Sequence, residues 1–178
     1  EDVTAATLER MRTERERDYD LLTGLYNRRA FYRFAGRVFD QPDKMKHAAV
    51  VMMDLDNLKR TNDTFGHEWG DRYIHEAAVC FLRSIPEETL CARVSGDEFN
   101  ILFYGYDSRE AVQRAIDRLV SGIENSHFNL PDGQATRIHV SGGIAWYPED
   151  GTELMELIKC ADFAMYQMKR NEKGRFGV

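Results

Sequence analysis

The chain lacks the features that would place it in several common functional classes. Its three cysteines, Cys80, Cys91 and Cys160, are widely spaced with no CxxC pair. Neither a disulfide framework nor a zinc site is indicated, and a reducing cytoplasm is the expected setting. No apolar run approaches the ~20 residues of a membrane span, and no signal-peptide pattern is present, so this domain is expected to make no membrane contact. Positive charge is in deficit: 24 Lys and Arg face 30 Asp and Glu, a formal charge of −6. That balance argues against a duplex nucleic-acid binder. There is no G-x-x-x-x-G-K-[ST] loop, which excludes a P-loop nucleotide site by pattern. Neither Ser95 nor Ser141 has a His/Asp pattern to activate it, so covalent acyl chemistry is not expected.

What is present suits one compact domain: 178 residues, 43% of them hydrophobic, with a short lead-in over residues 1–19 and the domain proper over 20–178. The chain opens without a methionine and reads as a piece of a longer protein. Residues 4–19 carry a broken apolar stripe of Leu8, Met11 and Tyr19, which fits an exposed helix or half of a coiled coil. Asn27 is placed to cap a helix with Phe31, Phe34 and Val38 on one face. "AAVVMM", residues 48–53, reads as a strand buried on both faces. "FGHEWGD" reads as a glycine loop ending in an N-cap at Asp71, with His67 a structural loop residue, before a helix carrying Ile74, Ala77, Ala78, Phe81 and Leu82. "CARVSGDEFNILFY", residues 91–104, is two β-prone runs around a polar tip. A helix over about 108–124 follows, then a turn at Pro131-Asp132-Gly133. "ATRIHVSGGIAWYP" reads as a strand interrupted at Gly142-Gly143, and a last helix covers about 152–170.

Without its extra helices this order is β-α-β-β-α-β, a ferredoxin-like α+β fold with a central, mostly antiparallel sheet. Right-handed crossovers place its helices on one face. The topology makes the first strand a neighbour of the hairpin and brings Asp54 close to Asp97 and Glu98. In isolation, Asp54 and Asp56 of "DLD" also fit loop acids capping the next short helix, and Gly96 fits a plain turn glycine. Acids gathered from two segments repel unless a cation sits between them, and hard oxygen ligands suit Mg²⁺ or Mn²⁺. Two such ions can clamp the oxygens of a phosphoryl transfer. A residue without a Cβ at 96 lets a ligand approach the turn backbone. Lys59, Lys169 and Lys173 are candidate point charges for phosphates. Asn62 and Asp71 are candidates for reading a base edge, although Asp71 is equally a helix cap.

From about Asp20 to Lys173 the sequence resembles the GGDEF domain, the diguanylate cyclase family. The resemblance rests on "DLLTGLYNRRAF", "DLDNLKRTNDTFGHEWGD", "RVSGDEF", "SGGIAWYPEDG" and "ADFAMYQMKRNEK", in order and at compatible spacing. It implies a fold similar to the palm of nucleotide cyclases. The implied activity is condensation of two GTP into cyclic di-GMP with release of pyrophosphate, each of two subunits holding one GTP. It also implies that Asp54, the Leu55 carbonyl and Asp97 hold two Mg²⁺ or Mn²⁺ ions. The turn amides near Asn57 and Leu58, with Lys59, Lys169 and Lys173, would hold the triphosphate. Asn62 and Asp71 would read guanine, and Asp97 or Glu98 would help deprotonate the ribose 3′-OH. The implied partners are a second subunit and an upstream sensory domain acting through the lead-in helix.

Two departures stand out. Ser95 replaces the signature's first glycine, which leaves a catalytically inactive module that binds GTP or signals through protein partners as the alternative. The window Pro86-Glu87-Glu88-Thr89 lacks the arginine and aspartate of the family's product-inhibition motif, so feedback binding there is not expected.

Overall fold

In a computed structural model describing residues 4–178, the chain forms seven helices and seven strands. Helix α1 (Ala5–Asp18) leads in, capped by Thr4, and has no buried residue among those described. Helix α2 (Arg28–Phe39) starts where the Asn27 side chain accepts the Ala30 amide at 2.9 Å. Asn27 also donates to the carbonyls of Glu16 and Arg17, tying the end of α1 to the domain. A short α3 (Pro42–Met45) precedes β1 (His47–Leu55). After β1 come α4 (Leu58–Phe65) and α5 (His67–Arg83), then the hairpin of β2 (Leu90–Ser95) and β3 (Glu98–Tyr106). The chain continues as α6 (Arg109–Glu124), a small hairpin of β4 (Phe128–Asn129) and β5 (Ala135–Thr136), β6 (Val140–Tyr147), α7 (Leu154–Asn171) and β7 (Phe176–Gly177).

The main sheet has the order β2-β3-β1-β6-β7. Its first four strands pair antiparallel in the ferredoxin-like order, and β7 adds a short parallel pair with β6, which makes the sheet mixed. Strand β1 has helices on both faces, which is why its apolar run is continuous rather than alternating. Ala49, Val51, Met53 and Leu55 join α5 and α6 in one core, while Ala48, Val50 and Met52 join α2 and α7 in the other. The expectation of helices on one face therefore holds for α5 and α6, whereas α2 and α7 cover the opposite face.

Two local expectations are corrected. Helix α5 begins at His67, not at Asp71, because Gly66 breaks the chain with φ of +96°, leaving Asp71 in the second turn. Gly142 and Gly143 do not interrupt β6, which pairs with β1 straight through them. They are small because neighbours press on the strand. A Cβ on Gly142 would collide with the Phe176 ring, and one on Gly143 with the α7 backbone at Ala161 and Met165.

Candidate functional site

Strand register builds the acidic centre. Asp54 lies opposite Glu98 in the β1–β3 ladder, and the Leu55 amide donates to the Asp97 carbonyl at 2.8 Å. Carboxylate oxygens of Asp54, Asp97 and Glu98 all fall within 4.8 Å of one another, a set that can hold a divalent cation. Asp54 is buried, whereas Asp97 and Glu98 are half-buried, and Asp97 lines the neighbouring cleft. By the period-two alternation of β1, Asp54 falls on the α7 side of the sheet. Lys169 extends the buried stripe Ile158, Ala161 and Met165 of α7 one turn further. Its Nζ reaches Asp54 Oδ1 at 2.8 Å and Asp56 Oδ1 at 3.9 Å. The shorter contact is an ion pair by distance but is not aligned as a hydrogen bond, so Asp54 Oδ1 stays buried without one.

Burial pushes the Asp54 carboxyl up to about 7; Lys169 opposes the shift and the neighbouring Asp97 carboxylate adds to it. An acid raised in this way, with a second carboxylate beside it, is what a hard cation would relieve. The donor set therefore fits Mg²⁺ or Mn²⁺.

Beside the acids lies a cleft of about 480 Å³, lined by the Leu55–Arg60 turn, Asp97, Lys169 and Lys173 among others. Four lining residues, Lys59, Arg60, Lys169 and Lys173, are cationic in a chain whose overall charge is −6. Asn57 turns the chain at φ of +70° into α4. The first amides of that helix have no intrahelical acceptor and are free to meet an anion. Asn57, Leu58, Lys59, Lys169 and Lys173 are thus brought together with Leu55 and Asp97.

Asn62 and Asp71 lie apart from that cleft. The Asn62 amide group packs on Gly70 of α5, where an added Cβ would collide with it. Asp71 lines a separate cleft with Leu22, Trp69 and His75. His67 is the exposed first residue of α5.

The hairpin tip has no positive-φ requirement at Ser95 or Gly96. Lys46 and Asn57 are the positive-φ non-glycine residues among those described, and Gly96 is not a positive-φ glycine. A Cβ on Gly96 would meet nothing within 4 Å among the described residues.

Sequence reasoning missed what anchors this tip. Arg93 donates to the Gly96 carbonyl from Nε and from the guanidinium end at 3.1 and 3.0 Å, and to both oxygens of Asp20. Asp20 in turn accepts from Thr23. The signal was present in "DLLTG" and "RVSGDEF", but an Asp–Arg pair 73 residues apart is invisible to local pattern.

Helices on both faces of a sheet whose central strand ends in acid make this a palm-like domain of the nucleotide-cyclase kind. The chain belongs to the GGDEF family: residues 17–175 match the family described as diguanylate cyclase, GGDEF domain. The GGDEF domain of TpbB (YfiN) from Pseudomonas aeruginosa is similar, with 31% identity, 90% of this chain and 94% of that one covered, and a TM-score of 0.80. The coiled coil and GGDEF domain of DgcB from Caulobacter crescentus, in complex with c-di-GMP, is 25% identical over 97% of this chain and 93% of that one, also with a TM-score of 0.80. Curated relatives include uncharacterized membrane proteins of Staphylococcus aureus, 28% identical over 92% of this chain. The chain spans 46% of the length of those relatives. No helix among its described residues is long and apolar enough to cross a membrane.

Proposed function

We propose that this domain is a metal-dependent diguanylate cyclase that joins two GTP into cyclic di-GMP, two copies each bringing one GTP. The observation that carries the reading is the convergence of Asp54, Asp97 and Glu98 beside a cleft with four cationic lining residues. Asp54, the Leu55 carbonyl and Asp97 would hold two Mg²⁺ or Mn²⁺ ions. When bound, such ions neutralise phosphate charge and polarise the phosphoryl group. The α4 amides from Asn57 to Lys59, with Lys59, Lys169 and Lys173, hold the triphosphate. Asp97 or Glu98 takes the proton from the ribose 3′-OH, and the 3′-oxygen attacks the α-phosphorus of the GTP on the facing copy. Pyrophosphate leaves towards the lysines, and a second such step closes the ring. Positioning and electrostatics account for most of the rate in chemistry of this kind. Asn62 and Asp71 read guanine across the α4–α5 corner. In the full-length protein, α1 connects the domain to an upstream sensory region that controls pairing at a cytoplasmic site.

Ser95 favours a second reading, a module that binds GTP without turning it over, because its Cβ stands at the exposed tip. One assay separates the two. The protein, dimerised by a coiled coil fused ahead of residue 1, is incubated with GTP and Mg²⁺ or Mn²⁺, and cyclic di-GMP is quantified by chromatography. Product from the parent and none from a folded Asp97→Ala variant supports the cyclase; GTP binding without product selects the second reading.

A further inference from the structure

Asp56 is the acid that the metal cluster leaves unexplained. It is 5% exposed, yet it stands outside the set of Asp54, Asp97 and Glu98. A buried carboxylate is costly unless its charge is paired and its oxygens are bonded. Asp56 Oδ2 accepts the Ser141 hydroxyl at 2.8 Å, and the Ser141 Oγ accepts the Gly174 amide at 3.1 Å. Asp56 Oδ1 has no hydrogen bond and faces Lys169 Nζ at 3.9 Å. A hydroxyl has one proton to give, so the bond to Asp56 fixes which way Ser141 points and keeps a lone pair aimed at Gly174. Gly174, at φ of +85°, turns the chain so that β7 runs beside β6, and the Arg175 carbonyl accepts the Gly142 amide at 2.9 Å. Lys173 sits immediately before this anchor. One buried carboxylate therefore faces Lys169 directly and reaches the Gly174 amide, next in the chain to Lys173, through a single hydroxyl.

We propose that Asp56 is a positioning residue that sets both phosphate-facing lysines, holding the Lys169 ammonium by charge and the Lys173 loop through Ser141. The lysine assignment rests on the reading of the cleft as a triphosphate site. Once Asp54 engages a cation, Asp56 is the carboxylate left to orient Lys169. The aspartate at 56 is thus coupled to nucleotide affinity rather than to the proton transfer.

Trypsin supplies a readout independent of turnover, since Lys173 and Arg175 are exposed and their cleavage requires the loop to leave β6. Ser141→Ala removes both bonds, and cleavage at these two sites, followed by mass spectrometry without nucleotide, is expected to run about tenfold faster than in the parent. Asp56→Ala is expected to reproduce that acceleration while keeping the parent's circular dichroism. Asp56→Asn keeps an acceptor for Ser141 but loses the charge: cleavage stays within about twofold of the parent, while the Kd for GTP, and KM where turnover is present, rises about tenfold and kcat falls less. Unchanged cleavage in both Ser141→Ala and Asp56→Ala, or an unchanged GTP Kd in Asp56→Asn, overturns the proposal. Absence of turnover in the parent would count against the cyclase reading alone, because the trypsin and binding measurements still decide the role of Asp56.

Discussion

Replacing Gly143 by alanine probes how α7, and with it Lys169, is set against the sheet. The new Cβ would stand 3.0 Å from the Ala161 carbonyl carbon and closer still to the Ala161 oxygen and the Met165 nitrogen. These are backbone atoms, so no rotamer change relieves the collision. Restoring ordinary contact of about 3.5 Å requires α7 to move off β6 by roughly 1 Å or more. Helix α7 buries Leu157, Ile158, Ala161, Ala164 and Met165, and all of them lose packing in such a shift. Overpacking of this kind costs about 3 kcal/mol. For a chain of this size that lowers Tm by about 6 to 12 °C. The same displacement carries Lys169 away from Asp54, so GTP affinity falls along with stability. Calorimetry and GTP titration on the one variant check both effects. A Tm loss below about 2 °C would refute the reasoning that β6 and α7 are in backbone contact.

Gly96 supplies the contrasting case. Its added Cβ meets nothing within 4 Å, and its φ is not positive. Gly96→Ala should therefore change stability by no more than about 0.5 kcal/mol in chemical denaturation, while GTP affinity falls if nucleotide approaches the tip backbone. A large loss of stability would show that the tip is strained in a way the backbone angles do not record. Asp54 predicts a pH effect of defined sign. Burial raises its carboxyl to about 7, above its unfolded value of 3.8, so the folded state binds the proton more tightly than the unfolded one. Its stabilising contribution without a divalent ion is full below about pH 4 and is lost as pH rises through about 7. Mg²⁺ favours the ionised form and should flatten or reverse that slope between about pH 5 and 8, read as Tm with chelator and with Mg²⁺. Parallel slopes in the two conditions would exclude Asp54 as a ligand.

Much of the fold was legible because β1 announces itself as an unbroken apolar run of strand length and the long helices by period. Asn27 was read as a cap and is one, since a cap is a local event spanning three residues. The start of α5 was misplaced because Asp71 and Gly66 are both plausible boundaries in sequence; the deciding property, a positive φ at Gly66, belongs to the fold. Gly142-Gly143 was misread for a related reason. Glycine in a strand signals either a break or a close neighbour, and the neighbours here, α7 and Phe176, arrive from residues 161–176. The acid pair of Asp54 and Glu98 followed from strand order. Arg93–Asp20 and Asp56–Ser141–Gly174 did not, because each joins side chains whose meeting depends on three-dimensional register.

The central position of β1 has one further consequence. Asp54 is held opposite Glu98 on one side and Ser141 on the other, in ladders that run from one end of the strand to the other. Moving it along either neighbour is possible only in whole-residue steps, and a single step would exchange the two cores and reverse the direction of every β1 side chain. The spacing of the acids is therefore quantised: there is no soft coordinate along which it can be adjusted by small amounts. Graded control of the site has to act on its movable parts, Lys169 of α7 and the Gly174 turn that follows Lys173, while the acids behave as a fixed datum against which those parts are aligned.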